Sequence, residues 1–145
     1  MQIKRGTDHA ARAMCHLAAL PRGRRARLED VAAAVDVPAS SLSKIMQRLA
    51  SAGLILSTPG ATGGFELARP ARQISLLEVI TAFEGPLTLN LCIAAPELCR
   101  RKPYCPVHCV WIEAQARLLE VLTAATLDTL VTAERAGDSG EAMTG

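Results

Sequence analysis

Four of the five cysteines in this sequence fall within 18 residues, at Cys92, Cys99, Cys105 and Cys109, with His108 between the last two. Six, five and three residues separate them in turn. No secretory leader is expected ahead of them, because Lys4, Arg5, Asp8 and Arg12 interrupt the stretch Met1–Leu20 that would need to be apolar. A thiol cluster in such a chain points to a metal or redox site rather than a disulfide framework. Pro96, Pro103 and Pro106 predict a loop whose thiolates converge on one point. Structural zinc favours closely spaced knuckles, and here Cys105–Cys109 alone has that spacing. Widely spaced thiolates suit the corners of an iron–sulfur cluster. Three of them leave one coordination position for a carboxylate, an imidazole or a fourth thiolate. An iron–sulfur cluster, zinc and a metal-free thiol switch all remain open on spacing. Cys15, beside Met14 and Leu17, reads instead as a small apolar packing residue.

The elements that would position this segment follow from composition and period. The chain has 145 residues, half of them apolar and 21% charged, which allows one domain or a small domain with an appended module. Aromatic residues make up 3%, so the core must come from Leu, Val, Ile and Ala. The longest charge-free stretches, Leu49–Phe65 and Gly85–Pro96, have 17 and 12 residues, both short of the roughly 20 that a membrane span needs. The net charge of +2 divides into +6 over residues 1–73 and −4 over residues 74–145. A basic first half joined to an acidic second half suggests one module facing a polyanion.

Apolar residues at three- and four-residue steps predict helices over Thr7–Leu20, Leu28–Val35 and Ala39–Ala52, the last capped by Gly53. Two short strands, Leu54–Leu56 and Phe65–Leu67, flank a Gly/Pro/Thr-rich hairpin tip. Ser75 with Glu78 forms a capping-box pattern opening a helix to Phe83. A further helix spans about Val107–Ala125, with Trp111, Ala114, Leu118, Val121 and Leu122 on one face. The fold expected is mainly α with a small β-hairpin wing: a winged helix-turn-helix over residues 1–83, a cysteine-rich loop with a long dimerisation helix over 84–131, and a flexible tail over 132–145.

These residues carry a resemblance to the winged-helix iron–sulfur transcription regulators of the IscR and NsrR type, the Rrf-two family. Thr7-Asp8-His9 with Arg12-Ala13-Met14 resembles the family's first helix, and Val37 to Ile45 with Arg48-Leu49 and Ala52-Gly53-Leu54-Ile55 its recognition helix. Gly60-Ala61-Thr62-Gly63-Gly64-Phe65 resembles the Gly-Gly wing, Ile74 to Ile80 the helix after it, and Thr126 to Val131 the closing segment. Cys92, Cys99 and Cys105 match the cluster-binding triplet. The resemblance covers about residues 1–131 and implies a cytoplasmic, homodimeric regulator of double-stranded DNA with one 4Fe–4S or 2Fe–2S cluster per protomer. For the fourth ligand it offers Asp8, supplied by the partner subunit as in the NsrR-like branch, or His108 as in the IscR-like branch, which Trp111 also fits. The reading leans to Asp8, while Cys109 stays open as a spare thiol or alternative ligand. Where many members carry Arg or Lys just before the wing glycine, this chain has Pro59, a departure from the pattern behind the usual operator.

On this reading Ser40, Ser41 and Ser43 bond phosphates or base edges, Lys44 and Arg48 neutralise phosphates, and Gln47 reads adenine. Thr58, Thr62 and the backbone at Gly63 touch the flanking minor groove. Two such helices in a dimer read a palindromic operator. The signal would be nitric oxide, redox state or iron supply, with repression and activation both open. A thiol- or zinc-based DNA-binding regulator is the main alternative, and a small iron–sulfur electron carrier or cluster-delivery protein a further one. No nucleophile triad or phosphate loop is present, so an enzyme is not expected.

Overall fold

The computed structural model describes residues 1–141. Helices α1 (Arg5–Ala19), α2 (Leu28–Val35) and α3 (Ala39–Ser51) form where the apolar spacing predicts them. Helix α1 buries Thr7, Ala10, Ala13, Met14 and Leu17, and α3 buries Leu42, Ile45, Met46 and Leu49. Burying a side chain of this size stabilises by about 1.5–3 kcal/mol, so these two stripes anchor the first half of the chain. Asp36 ends α2 in the left-handed region at φ 54°, which Asp tolerates better than most residues. The chain can then pass through Val37-Pro38 directly into α3.

Strands β1 (Ile55–Thr58) and β2 (Gly64–Leu67) pair antiparallel, in register from Ile55 opposite Leu67 to Thr58 opposite Gly64. The first strand starts one residue later than its sequence suggests. Leu54 is instead drawn into the core, its N–H donating to the Leu49 carbonyl beyond the Gly53 cap. Ala26 and Phe65 exchange backbone hydrogen bonds of 3.0 and 2.8 Å, fastening the hairpin to the α1–α2 connection.

Helix α4 (Leu76–Glu84) opens on the capping box its sequence predicts. The Ser75 hydroxyl accepts from the Glu78 N–H at 3.2 Å, and the Glu78 carboxylate accepts from the Ser75 N–H at 2.9 Å. Residues 85–105 then break into the short helix α5 (Leu91–Ala94) and two 3-10 turns, Pro96–Leu98 and Lys102–Tyr104. Helix α6 (Pro106–Ala124) leads into α7 (Leu127–Glu141).

Helix α7 changes the expected division of the chain. Leu127 is fully buried and belongs to the core cluster of the first three helices. Backbone hydrogen bonds from Leu127 to Ile74 (2.9 Å) and from Leu76 to Ala125 (2.7 Å) hold it there. The segment 132–145, expected as a flexible tail, is helical as far as Glu141, and residues 142–145 lie outside the described residues. Ala133, Glu134, Arg135 and Ala136 are good helix formers, and they extend the helix that Leu127 and Val131 anchor. Among the described residues no helix is long and apolar enough to cross a membrane.

Candidate DNA interface and cysteine segment

Helix α3 turns its apolar stripe inward and leaves Ser40, Ser41, Lys44 and Gln47 exposed, with Ser43 half-buried. Pro38 precedes it and no side chain caps its N-terminus. The first amides, at the positive end of the helix dipole, therefore remain available beside the two serine hydroxyls. Arg48 differs from the expectation of a phosphate contact. Its Nε donates to the Ala82 carbonyl at 3.0 Å and its Nη2 to the Phe83 carbonyl at 3.1 Å, and the guanidinium lies 5.0 Å from the centre of the Phe83 ring. The last carbonyls of α4 lack intrahelical partners, which explains why a cation settles there.

At the hairpin tip Thr62 is exposed and Thr58 half-buried. Both glycines of the Gly63-Gly64 pair are required by close approach. A Cβ on Gly63 would stand 2.0 Å from the Thr58 carbonyl oxygen, and one on Gly64 would stand 2.6 Å from that of Ala26. Arg27 donates to the Ala61 carbonyl at 2.8 Å, so the wing tip is tied to the start of α2. Two surface clefts, of about 410 and 670 Å³, lie beside the α1–α2 connection and between α1 and α7. The first is lined by Arg22, Arg24, Arg69 and Arg72, and the second includes Cys15. Burial and the nearby Glu134 raise the Cys15 thiol above its ordinary pKa, in keeping with the packing role read from sequence.

The cysteine segment is built from short turns, each stopped by proline or an extended residue. Cys92 lies in α5, where its thiol donates to the Asn90 side-chain oxygen at 3.1 Å. Cys99 and Cys105 each follow a 3-10 turn with extended backbone, and Cys105 is also the N-cap of α6. All five cysteines are free thiols; Cys92, Cys99 and Cys105 are half-buried and Cys109 is exposed. Contrary to the expected convergence, no group of three or more His, Cys, Asp or Glu side chains is placed to hold a metal ion among the described residues. Asp8 is exposed and ion-paired with Arg12 at 3.0 Å, one helical turn along α1.

The donor chemistry nevertheless suits a soft metal. Cys92, Cys99 and Cys105 are not engaged in disulfides, and His108 Nδ1 is buried without a hydrogen-bond partner. An orphaned buried nitrogen is unusual and is available to a ligand. Sequence reasoning missed Gln115, which is 8% exposed on α6. Its Oε1 accepts from the Leu89 N–H at 2.9 Å and its Nε2 donates to the Leu87 carbonyl at 2.6 Å. The clamp fixes the strand of chain leading to Cys92. A lone amide between Ala114 and Ala116 on an apolar helix was the available signal.

A three-helix unit with an exposed third helix and a fastened hairpin defines the winged-helix class of DNA-binding folds. Residues 3–133 match the model of the Rrf2 family, described as iron-dependent transcriptional regulators, and the chain belongs to that family. Over 127 residues it is 33% identical to Rv1287 of Mycobacterium tuberculosis (strain H37Rv), named as an HTH-type transcriptional regulator, covering 88% of this chain and 79% of that protein. The solved T. potens IscR superposes with a TM-score of 0.69 at 27% identity, covering 94% of this chain and 90% of that one. CymR (YrzC), described as the global cysteine regulator of B. subtilis, superposes with a TM-score of 0.75 at 24% identity, covering 91% and 97%; this likeness is one of fold. The protein is thus a transcriptional regulator and not an enzyme, and DNA binding comes with that membership.

Proposed function

We propose that this regulator binds a palindromic operator as a homodimer and that an iron–sulfur cluster on Cys92, Cys99 and Cys105 of each protomer switches its affinity. The observation that carries the reading is the segment itself: three free, half-buried thiols between the winged helix and α6, next to a buried imidazole nitrogen with no partner. The family's iron dependence supports the choice of metal. The cluster would supply a site that nitric oxide, oxygen or iron shortage can disrupt. His108 is the fourth donor available on the same chain; Asp8, exposed on α1, is the one a partner subunit would bring. Helix α6 supports the homodimer, because Val107, Val110, Trp111, Ile112 and Val121 are 41–66% exposed along it. Apolar residues gathered on one helix favour burial against a partner. Ser40, Ser41, Lys44 and Gln47 would meet the major groove, with Ser43 behind them, and Thr62 at the tip the minor groove. Pro59 leaves the wing without the cation many relatives insert there.

A second reading, a metal-free thiol switch, is favoured by the absence of a converged donor group among the described residues. Native mass spectrometry of protein purified without oxygen separates the two. A dimer heavier than two chains by iron and sulfide upholds the cluster and gives its nuclearity. A dimer of bare-chain mass whose DNA affinity responds to thiol oxidation upholds the thiol switch and overturns the cluster.

A further inference from the structure

The element that reads DNA and the segment that carries the thiols meet at the last turn of α4. Contacts from two other elements converge there, and the chain turns away just beyond them. From α3, Arg48 bridges the Ala82 and Phe83 carbonyls and covers the Phe83 ring. From the start of α1, its N-cap Lys4 and Thr7 hold Glu84: its Oε1 accepts from the Lys4 N–H at 2.9 Å and from the Thr7 hydroxyl, and Oε2 pairs with the Lys4 ammonium at 3.3 Å. Immediately after, Gly85 at φ 77° turns the chain into the cysteine segment. With two donors and one face committed to α4, the Arg48 guanidinium reaches a phosphate only by releasing these contacts.

We infer that Arg48 is a positioning residue that straps the recognition helix to the end of α4, so that the pose of α3 follows the conformation of the cysteine segment rooted at Gly85. The inference deepens the sensing role proposed above for that segment, though the strap itself does not depend on which ligand or modification the thiols take. Arginine suits the task because its planar fork spans two carbonyls while stacking on a ring. Lysine offers a point charge that cannot do all three.

The test is a double-mutant cycle on the full-length protein, read as affinity for a duplex that the wild type enriches from a random-sequence pool. Fluorescence anisotropy is recorded over a salt series for wild type, Arg48→Lys, Gly85→Ala and the double variant. A Cβ at Gly85 meets nothing within 4 Å, so that substitution perturbs the root of the segment through backbone conformation alone. Gly85→Ala is expected to shift affinity about threefold or more in the wild-type background and by less than about 1.5-fold beside Arg48→Lys, a non-additive cycle. The salt slope of the charge-removing variant Arg48→Gln, recorded alongside, should match the wild type, whereas loss of a phosphate contact lowers it by about 1. A slope reduced by that amount, an additive cycle, or an inert Gly85→Ala would each overturn the strap. If circular dichroism shows Arg48→Lys unfolded, Phe83→Leu, which removes the stack and keeps both carbonyls, takes its place with the same expectation. A non-additive cycle in a protein that carries neither cluster nor responsive thiols upholds the strap and overturns the sensing role. An additive cycle in a cluster-bearing protein does the reverse.

Discussion

At the scale of single residues, this protein depends on a few positions where one atom decides the outcome. Gly63 lies so close to the Thr58 carbonyl that a methyl group cannot be accommodated. Gly63→Ala is therefore expected to open the hairpin and destabilise the fold by about 1–3 kcal/mol, seen as a lower urea midpoint and weaker DNA binding. Gln115 is the opposite case, a polar side chain held inside by two backbone partners. In Gln115→Leu the Leu89 N–H and Leu87 carbonyl lose those partners, at a cost of about 1–3 kcal/mol for a buried group left unsatisfied. Hydrogen exchange should show the loss locally, as faster exchange over residues 87–92. An unchanged exchange pattern there would mean that Gln115 does not hold the segment. The glycine pair was legible in the sequence as a hairpin tip, but the reason for it was not. The atoms a Cβ would strike belong to Thr58 and to Ala26, and Ala26 lies far from the tip in sequence and reaches it only once the wing has folded back.

At the scale of elements, periodicity located α1, α2, α3 and α4 to within a residue or two, because each has an apolar stripe against a common core. The capping box of α4 is visible as Ser75 and Glu78, since its hydrogen bonds are local to one turn. Helix α6 is where pattern could not separate roles. Ala114, Leu118 and Leu122 are half-buried, whereas Trp111 and Val121, read on the same face, are 41% and 66% exposed. If that exposed apolar surface is the dimer contact proposed here, Val121→Asp should give a monomer at micromolar concentration by size-exclusion chromatography with light scattering. Its helical content should be unchanged, because Val121 contributes little to the chain's own core. A persistent dimer would place the contact elsewhere.

At the scale of the whole molecule, Glu84 ties the start of the chain to the end of α4 while Glu78 anchors the start of α4 locally, and both are held below the ordinary glutamate pKa. Glu84 is lowered by the Thr7 hydroxyl and the Lys4 N–H. For Glu78, burial would raise the carboxyl, but the Ser75 N–H and Arg69, 2.6 Å away, outweigh it. A folded-state pKa below the unfolded value contributes stability that is present above the unfolded value of about 4.3 and lost as pH falls through the folded one. Urea midpoints should therefore drop between about pH 5 and about pH 3, and Glu84→Gln should flatten that drop. An equally steep drop in the variant would assign it to other carboxylates. The sequence by itself determined the winged-helix order, the buried stripes, the basic first half and the three thiols at family spacing, because each is written in local period, charge or residue type. Tertiary structure alone decided that Arg48 serves α4, that Gln115 clamps the approach to Cys92, and that α7 returns Leu127 to the first domain's core. Those outcomes hang on which backbone carbonyl lies within about 3 Å of a side chain, or on which cavity needs filling. Neither exists until residues far apart in the chain have been packed together.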